Sequence, residues 1–332
     1  GGQIKYVIDL ARSLSRQPAV ARVDLFTRRI FDRRFNPKYA EPMEQLEEKA
    51  FLVRLECGPR RYLHKEMLWP YIEQFADNMI SHFSRLDQVP HVVHGHYADA
   101  GLIASRLAAI LGIPMIFTGH SLGRSKVARL IEKGASRGQL EKKYKISRRI
   151  EAEEVALDSA QLVITSTRQE HLEQYLVYAN YKKSLTKVIP PGVDLRDFTP
   201  PRRLGGRPPV YREIARFLEK PDKPMILALS RADERKNPGI LIDVYGESPE
   251  LQALANLVLV LGSREKIYHL EKGAARVLSR MLFKVDEYDL YGKAAYPKCH
   301  RPEDVPDIYR MAARSRGVFV NPALVEPFGL TI

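Results

Sequence analysis

Ile113-Pro114-Met115-Ile116-Phe117-Thr118, running into Gly119-His120-Ser121-Leu122-Gly123-Arg124-Ser125-Lys126, is the stretch on which the reading of the fold turns. The apolar run predicts a buried parallel strand. The octapeptide leaves it through small residues, a histidine and two cations, and an open α/β sheet presents its ligand site beyond the carboxyl ends of its strands. Basic character continues downstream. Between Gly119 and Arg149 there are ten Lys/Arg (124, 126, 129, 133, 137, 142, 143, 145, 148, 149) against two Glu (132, 141). That local surplus is most of the formal net charge of +13 and predicts a cationic cleft for a phosphorylated ligand. A solvated, charged helix face explains such a run equally well, but the glycines of the octapeptide read as loop rather than helix surface.

Working outward toward the N-terminus, Val89 to His96 reads as a strand, and Tyr97-Ala98-Asp99 places polar groups at its end. Strand alternation puts His94 and His96 on one face and His91 on the other, so the three do not converge as metal ligands. Apolar residues at 102, 103, 107, 110 and 111 predict the helix that links this strand to the next as a β-α-β unit. Earlier still, Met67 to Phe83 has amphipathic helical spacing, and Val23–Thr27 and Phe51–Leu55 read as strands with charged loop and some helix between them. Gly1-Gly2-Gln3 leads into a helical pattern, a backbone-amide site for phosphate. Such a loop normally follows a strand; either the glycines are a cloning remnant or the first strand precedes the chain.

Toward the C-terminus, Gln161–Ser166 and Val188–Asp194 predict further strands, and the Pro-, Gly- and Arg-rich stretch after them reads as a linker. The rhythm then repeats. Pro224–Ser230 is a strand, Arg231–Lys236 its exit loop, and Asn237-Pro238 a helix start with Asn as N-cap. Leu257–Gly262 is a strand and turn, Asp304–Ala313 a helix and Gly317–Pro322 a strand. The expected architecture is α/β: two Rossmann-like domains facing across a cleft, residues 1–195 and 224–332 with 196–223 between them, the second domain incomplete.

Composition narrows the class. The 332 residues suffice for two domains, and 45% hydrophobic content suits a packed core in each. No apolar run approaches the roughly 18 residues of a membrane span, and no signal-peptide pattern opens the chain. Two distant cysteines, Cys57 and Cys299, suit a reducing, cytoplasmic setting. The basic surplus is confined to one segment and no nucleic-acid motif accompanies it, which favours a compact anionic metabolite over a polymer.

Several motifs then act together: Gly1–Tyr6, His94–Asp99, the octapeptide, Arg149–Glu154, Thr165–Glu170 and Val325–Thr331. With them the chain resembles the sucrose-phosphate synthases, within the retaining GT-B glycosyltransferases (glycosyltransferase family 4), over nearly its whole length. The resemblance implies transfer of glucose from UDP-glucose to fructose 6-phosphate, giving sucrose 6-phosphate and UDP. It implies UDP-glucose as cosubstrate, no tightly bound cofactor, small-molecule partners only, and a sucrose-phosphate phosphatase acting next. It assigns His120, Arg231, Lys236 and Glu326 to catalysis. On the donor side it adds Gly2, Gly262, Ser263, Tyr296, Phe328, Gly329 and Leu330; on the acceptor side Gly2, Gln3, Lys65, Tyr97, Asp99, Lys126 and Arg149. The family's second motif glutamate falls beyond Ile332, so the chain taken alone is expected to be inactive. No carboxylate pair is recognisable as nucleophile and acid–base catalyst, and no Asp-x-Asp indicates a divalent metal.

Other readings stay open beside these. Arg149 can pair with Glu153 across one helical turn, and Arg231 with Lys236 can form a plain surface pair. A sister enzyme using GDP-mannose, a sucrose synthase taking free fructose, and a non-catalytic sugar-phosphate-binding module are the rival functions.

Overall fold

A computed structural model describes residues 2–201, 206–262, 264 and 266–324. It divides into two compact units, Gly1–Gly192 and Val193–Ile332, each with its own parallel sheet.

The first unit opens with helix α1 (Gly2–Ser15) and a three-stranded sheet of β1 (Val23–Arg28), β2 (Met43–Glu47) and β3 (Ala50–Leu55) in the order β1-β3-β2. β1 runs parallel to β3, and β2 pairs antiparallel with it. β2 lies where loop with some helix was expected. It is an edge strand whose charged side chains keep it from reading as one, the composition by which exposed edges avoid further pairing. Helix α2 (Ile72–Leu86) then buries Ile72, Phe75, Ala76, Met79 and Phe83 at three- and four-residue spacing. It begins five residues later than the periodicity suggests. Pro70 disfavours helical backbone at Trp69, and two short 3-10 turns, Lys65–Met67 and Trp69–Tyr71, take the place of its first turn.

The four-stranded sheet of this unit has the order β4-β5-β6-β7, all parallel: β4 (Val93–His96), β5 (Met115–Thr118), β6 (Leu162–Thr165) and β7 (Thr186–Val188). Helix α3 (Ala98–Leu111) crosses from β4 to β5. Helices α4 (Gly123–Glu132), α5 (Arg137–Tyr144) and α6 (Ile146–Ser159) connect β5 to β6. Met115 and Phe117 of β5 are fully buried with Ala156, Leu157 and Val163, so the apolar run is the strand it was read as.

In the second unit the sheet order is β10-β9-β8-β11, again all parallel. Its order along the chain is α7 (Val210–Ala215), β8 (Met225–Leu229), α8 (Pro238–Gly246), α9 (Pro249–Leu254), β9 (Asn256–Val260), α10 (Lys272–Glu287), β10 (Ala294–Ala295), α11 (Val305–Arg314) and β11 (Val318–Phe319). Every residue of β9 is buried, as a central parallel strand requires. The stretch expected as linker, 196–223, is not all linker. Val210, Ile214 and Leu218 join the core formed by Met225, Leu227 and Val258, and helix α7 packs as part of the second unit. Its Pro and Arg flanks obscured three apolar residues at helical spacing. Among the described residues no helix is long and apolar enough to cross a membrane.

Candidate functional site

The octapeptide is loop and then helix. Gly119 to Leu122 leave β5, and Gly123 is the first residue of α4, buried rather than part of a loop as expected. Both glycines are required by close neighbours. A Cβ on Gly119 would lie 2.6 Å from Leu122 Cδ2, and one on Gly123 would lie 2.8 Å from Glu153 Oε2. Glu153 explains the second contact: its carboxylate accepts the Gly123 N–H at 2.8 and 3.0 Å. The Arg124 N–H donates to Tyr178 Oη at 3.0 Å, and the Tyr178 hydroxyl donates in turn to Glu153. Two amides at the N-terminus of α4, those of Gly123 and Arg124, are therefore already engaged by protein groups.

Cationic side chains converge. A solvent-open hollow of about 280 Å3 is lined by Lys65, Tyr97, Asp99, Lys126 and Arg149, five of the residues assigned to the acceptor, together with Glu66, Trp69 and Tyr144. Each wall follows from local structure. The 3-10 turns before α2 deliver Lys65, Glu66 and Trp69; Tyr97 and Asp99 leave the carboxyl end of β4; Lys126 stands in the first turn of α4; Tyr144 closes α5. Tyr97 caps α3 at φ +83°, an outlying backbone for a bulky residue. Its ring lies between two cations, with Arg149 Cζ 4.5 Å and Lys65 Nζ 4.7 Å from its centroid. Lys65 Nζ also donates to its hydroxyl at 2.8 Å. Lys126 Nζ sits 3.4 Å from the centroid of Tyr144.

Three cations facing one small space repel one another, and burial adds to the cost. Burial first, then the charges of Arg149 and Lys65, pull the Lys126 ammonium down to about 8. Burial pushes the Asp99 carboxyl above its ordinary range, with the same two cations partly offsetting it. Cations that raise one another's cost in this way are stabilised by an anion placed among them. The sign for Lys126 is definite: its charge is present below about pH 8 and lost above it. We therefore expect the affinity of the hollow for inorganic phosphate to fall above about pH 8 as that charge is lost. Binding that stays flat to pH 9.5 would contradict this.

Arg149 shows both of the roles weighed for it. It is 3% exposed and lines the hollow, yet its Nε donates to Glu153 at 3.0 Å and its NH2 group to the Ser121 carbonyl. The fork expected for a ligand phosphate is engaged with the protein, so Arg149 contributes charge and holds the loop after β5. Of the octapeptide's two cations, Arg124 pairs with Glu154 at 2.7 Å, and Lys126 is the one that enters the hollow.

His120 is 7% exposed, at φ +55°. The Tyr6 ring from α1 meets it edge-on at 5.2 Å and meets His96 at 6.1 Å, which places the first helix against the ends of β4 and β5. Gly2 and Gln3 lie in the opening turn of α1, and Gln3 is not among the described residues lining the hollow. His91 lies outside β4. Among the described residues no group of three or more His, Cys, Asp or Glu has the geometry to hold a metal.

In the second unit, the described donor-side residues all follow the carboxyl ends of neighbouring strands of one sheet. Arg231 and Lys236 follow β8, Gly262 (φ +78°) follows β9 and Tyr296 follows β10. Asp233 caps the Glu234–Lys236 turn, accepting from Arg235 N at 3.0 Å, and it lies 3.9 Å from the Arg231 guanidinium. The Arg235 hydrogen bond is the main reason the Asp233 carboxyl drops to about 2. Asn237 does occupy the N-cap of α8 with Pro238 after it, but at φ +50° and without a side-chain capping bond. Tyr296 packs against Phe217 at 4.6 Å, and its carbonyl accepts from Arg264 at 2.6 and 3.1 Å. The Leu324 N–H donates to the Arg235 carbonyl at 2.9 Å, joining the end of the described chain to the β8 loop. Gly1, Ser263, Glu326, Phe328, Gly329 and Leu330 lie outside the described residues.

Residues 50–194 match the family model of the sucrose synthase first GT-B domain. The chain is similar over its whole length to a solved sucrose-phosphate synthase from Thermosynechococcus elongatus, with TM-score 0.70 and 25% identity over 72% of that chain. HepE of Anabaena, solved with UDP and glucose, matches with TM-score 0.62 at 16% identity, over the whole of this chain and 74% of its own. The fold is that of the GT-B glycosyltransferases. The whole chain is 43% identical to the sucrose-phosphate synthase of Zea mays and 42% identical to sucrose-phosphate synthase 4 of Arabidopsis thaliana. The likeness to sucrose-phosphate synthases expected from the motifs is borne out. The chain spans 37% of the length of each of these two relatives.

Proposed function

We propose that the protein to which this chain belongs transfers glucose from UDP-glucose to fructose 6-phosphate with retention, forming sucrose 6-phosphate and UDP. The observation that carries this is the hollow in which Lys65, Lys126 and Arg149 converge, in a chain similar throughout to sucrose-phosphate synthases. The acceptor phosphate meets the charges of Lys65 and Lys126, with Arg149 adding to the field from its pair with Glu153, and Tyr97, Trp69 and Asp99 surround its sugar. His120 faces the donor glucose. Arg231 and Lys236 hold the diphosphate, with Glu326 on the glucose hydroxyls and Gly262 and Tyr296 at the nucleoside.

The chemistry asked of these residues is mainly electrostatic. The bond from glucose C1 to the diphosphate oxygen breaks, and the acceptor hydroxyl oxygen bonds to C1 on the same face. Its proton passes to the departing phosphate. Charge grows on the leaving group as this happens, so fixed cations stabilise the transition state more than the bound substrate. In this reading UDP-glucose is a cosubstrate, no tightly bound cofactor or divalent metal takes part, and neither nucleic acid nor membrane is a partner. The protein works in the cytoplasm, followed by a sucrose-phosphate phosphatase.

Lys126→Ala removes one charge-assisted contact to the phosphate. It is expected to raise KM for fructose 6-phosphate about ten- to a hundredfold, with kcat little changed. A fall in kcat with KM unchanged would place Lys126 on the donor wall instead.

The donor is tested by nucleotide release from the full-length protein, with fructose 6-phosphate present and UDP-glucose compared with GDP-mannose. Turnover of UDP-glucose is expected. Turnover of GDP-mannose alone would make the protein the sister enzyme, and release from neither would make it a sugar-phosphate-binding module.

A further inference from the structure

The transfer chemistry above does not use His96, yet His96 touches the histidine at its centre. Its Nδ1 lies 3.0 Å from His120 Nε2, and the two rings stack with centroids 5.2 Å apart at 26°. The His94 ring lies 3.9 Å from that of His96, and His94 Nε2 lies 2.9 Å from Thr118 Oγ1. In the sheet register β4 and β5 place His94 opposite Ile116 and His96 opposite Thr118. His96 thus contacts both neighbouring histidine rings, and one of them belongs to a residue in the left-handed backbone region that non-glycine residues rarely adopt. Burial lowers all three histidines, His94 and His120 to about 4 and His96 to about 2. Each ring is therefore neutral at physiological pH and carries one N–H.

Two neutral imidazoles facing each other through one nitrogen apiece share a single proton. Whichever nitrogen donates decides both tautomers, because a neutral ring protonated at Nε2 is an acceptor at Nδ1, and the reverse. We propose that His96 is a positioning residue for the transfer: through its Nδ1 it sets the ring plane and tautomer of His120, and so the hydrogen-bonding character His120 presents to the donor sugar. This rests on the reading of the site as a glycosyltransferase centre. His96 supplies no group to the reacting atoms.

The test uses the full-length protein and two substitutions. His96→Leu keeps an apolar side chain of moderate size and removes the shared hydrogen bond. His96→Asn keeps a polar atom near the position of Nδ1. His96→Leu is expected to lower kcat about tenfold or more, while KM for fructose 6-phosphate stays within about twofold, and His96→Asn is expected to recover most of the loss. Should His96→Leu fold poorly, His96→Gln replaces it. Its amide reaches toward the Nε2 position, so a loss with Gln that Asn does not share is expected. Unchanged kcat in His96→Leu, or equal losses in Asn and Gln, would overturn the positioning role. Nucleotide release by the unsubstituted protein with unaffected variants would sink this inference alone; no release from the unsubstituted protein would sink the transferase reading and this inference with it.

Discussion

Glu153→Ala is expected to destabilise the first unit by about 3–5 kcal/mol, the range for removing one partner of a buried ion pair. The carboxylate is completely buried. It receives the Gly123 amide, the Arg149 Nε and the Tyr178 hydroxyl. Burial pushes its pKa up, and Arg149, Tyr178 and Gly123 pull it back. Without it Arg149 would be a buried cation with no counter-charge, and the Gly123 N–H at the start of α4 and the Tyr178 hydroxyl would lose their acceptor. Lys126 stands in that same first turn, so the hollow would lose its geometry with its stability. Chemical denaturation with separate probes for each unit checks this. A change below about 1 kcal/mol, the usual size for a surface substitution, would show that the network is peripheral.

Lys236→Ala is expected to lower kcat by about a hundred- to a thousandfold, the loss seen when one preorganised stabiliser of developing charge is removed. Its KM for fructose 6-phosphate should hardly move. The backbone presenting Lys236 is fixed: its N–H donates to the Asp233 carbonyl at 2.9 Å, and Asn237 N–H to the Glu234 carbonyl at 3.1 Å. Arg235 is the internal control, because its guanidinium is committed to Asp233. Arg235→Ala should cost far less in kcat than Lys236→Ala. Single-turnover rates for the two variants separate these cases. Equal losses would mean that the turn itself, and not the Lys236 ammonium, is what the reaction needs.

The strands were the most legible part of the chain. Met115–Thr118 and Met225–Leu229 are apolar along their length because both faces are covered, and that pattern survives in sequence alone. β2 did not, because an edge strand with one solvated face looks like any polar segment. Lys65, Tyr97, Asp99, Lys126 and Arg149 were named by resemblance, and the structure brings them around one hollow. Glu66, Trp69 and Tyr144 were missed, though part of the signal was present. Trp69 precedes Pro70, which favours the turn that places it with Lys65 in the lining. Tyr144 gave no signal, since its place depends on how α5 packs against α4. Arg149 was half legible: the four-residue spacing to Glu153 predicted the ion pair, but only the fold shows the same guanidinium beside Tyr97 and Ser121. Helix α7 was hidden by the prolines and arginines around it.

The central claim is that the cations of the hollow read a phosphate on the acceptor. It is tested most directly by kcat/KM of the full-length protein for fructose 6-phosphate against fructose, with UDP-glucose saturating. A preference for the phosphorylated sugar of about a hundredfold or more is expected, because free fructose leaves Lys65 and Lys126 without the anion they would contact. Lys126→Ala is expected to erode most of that preference. Equal kcat/KM for the two sugars would contradict the claim.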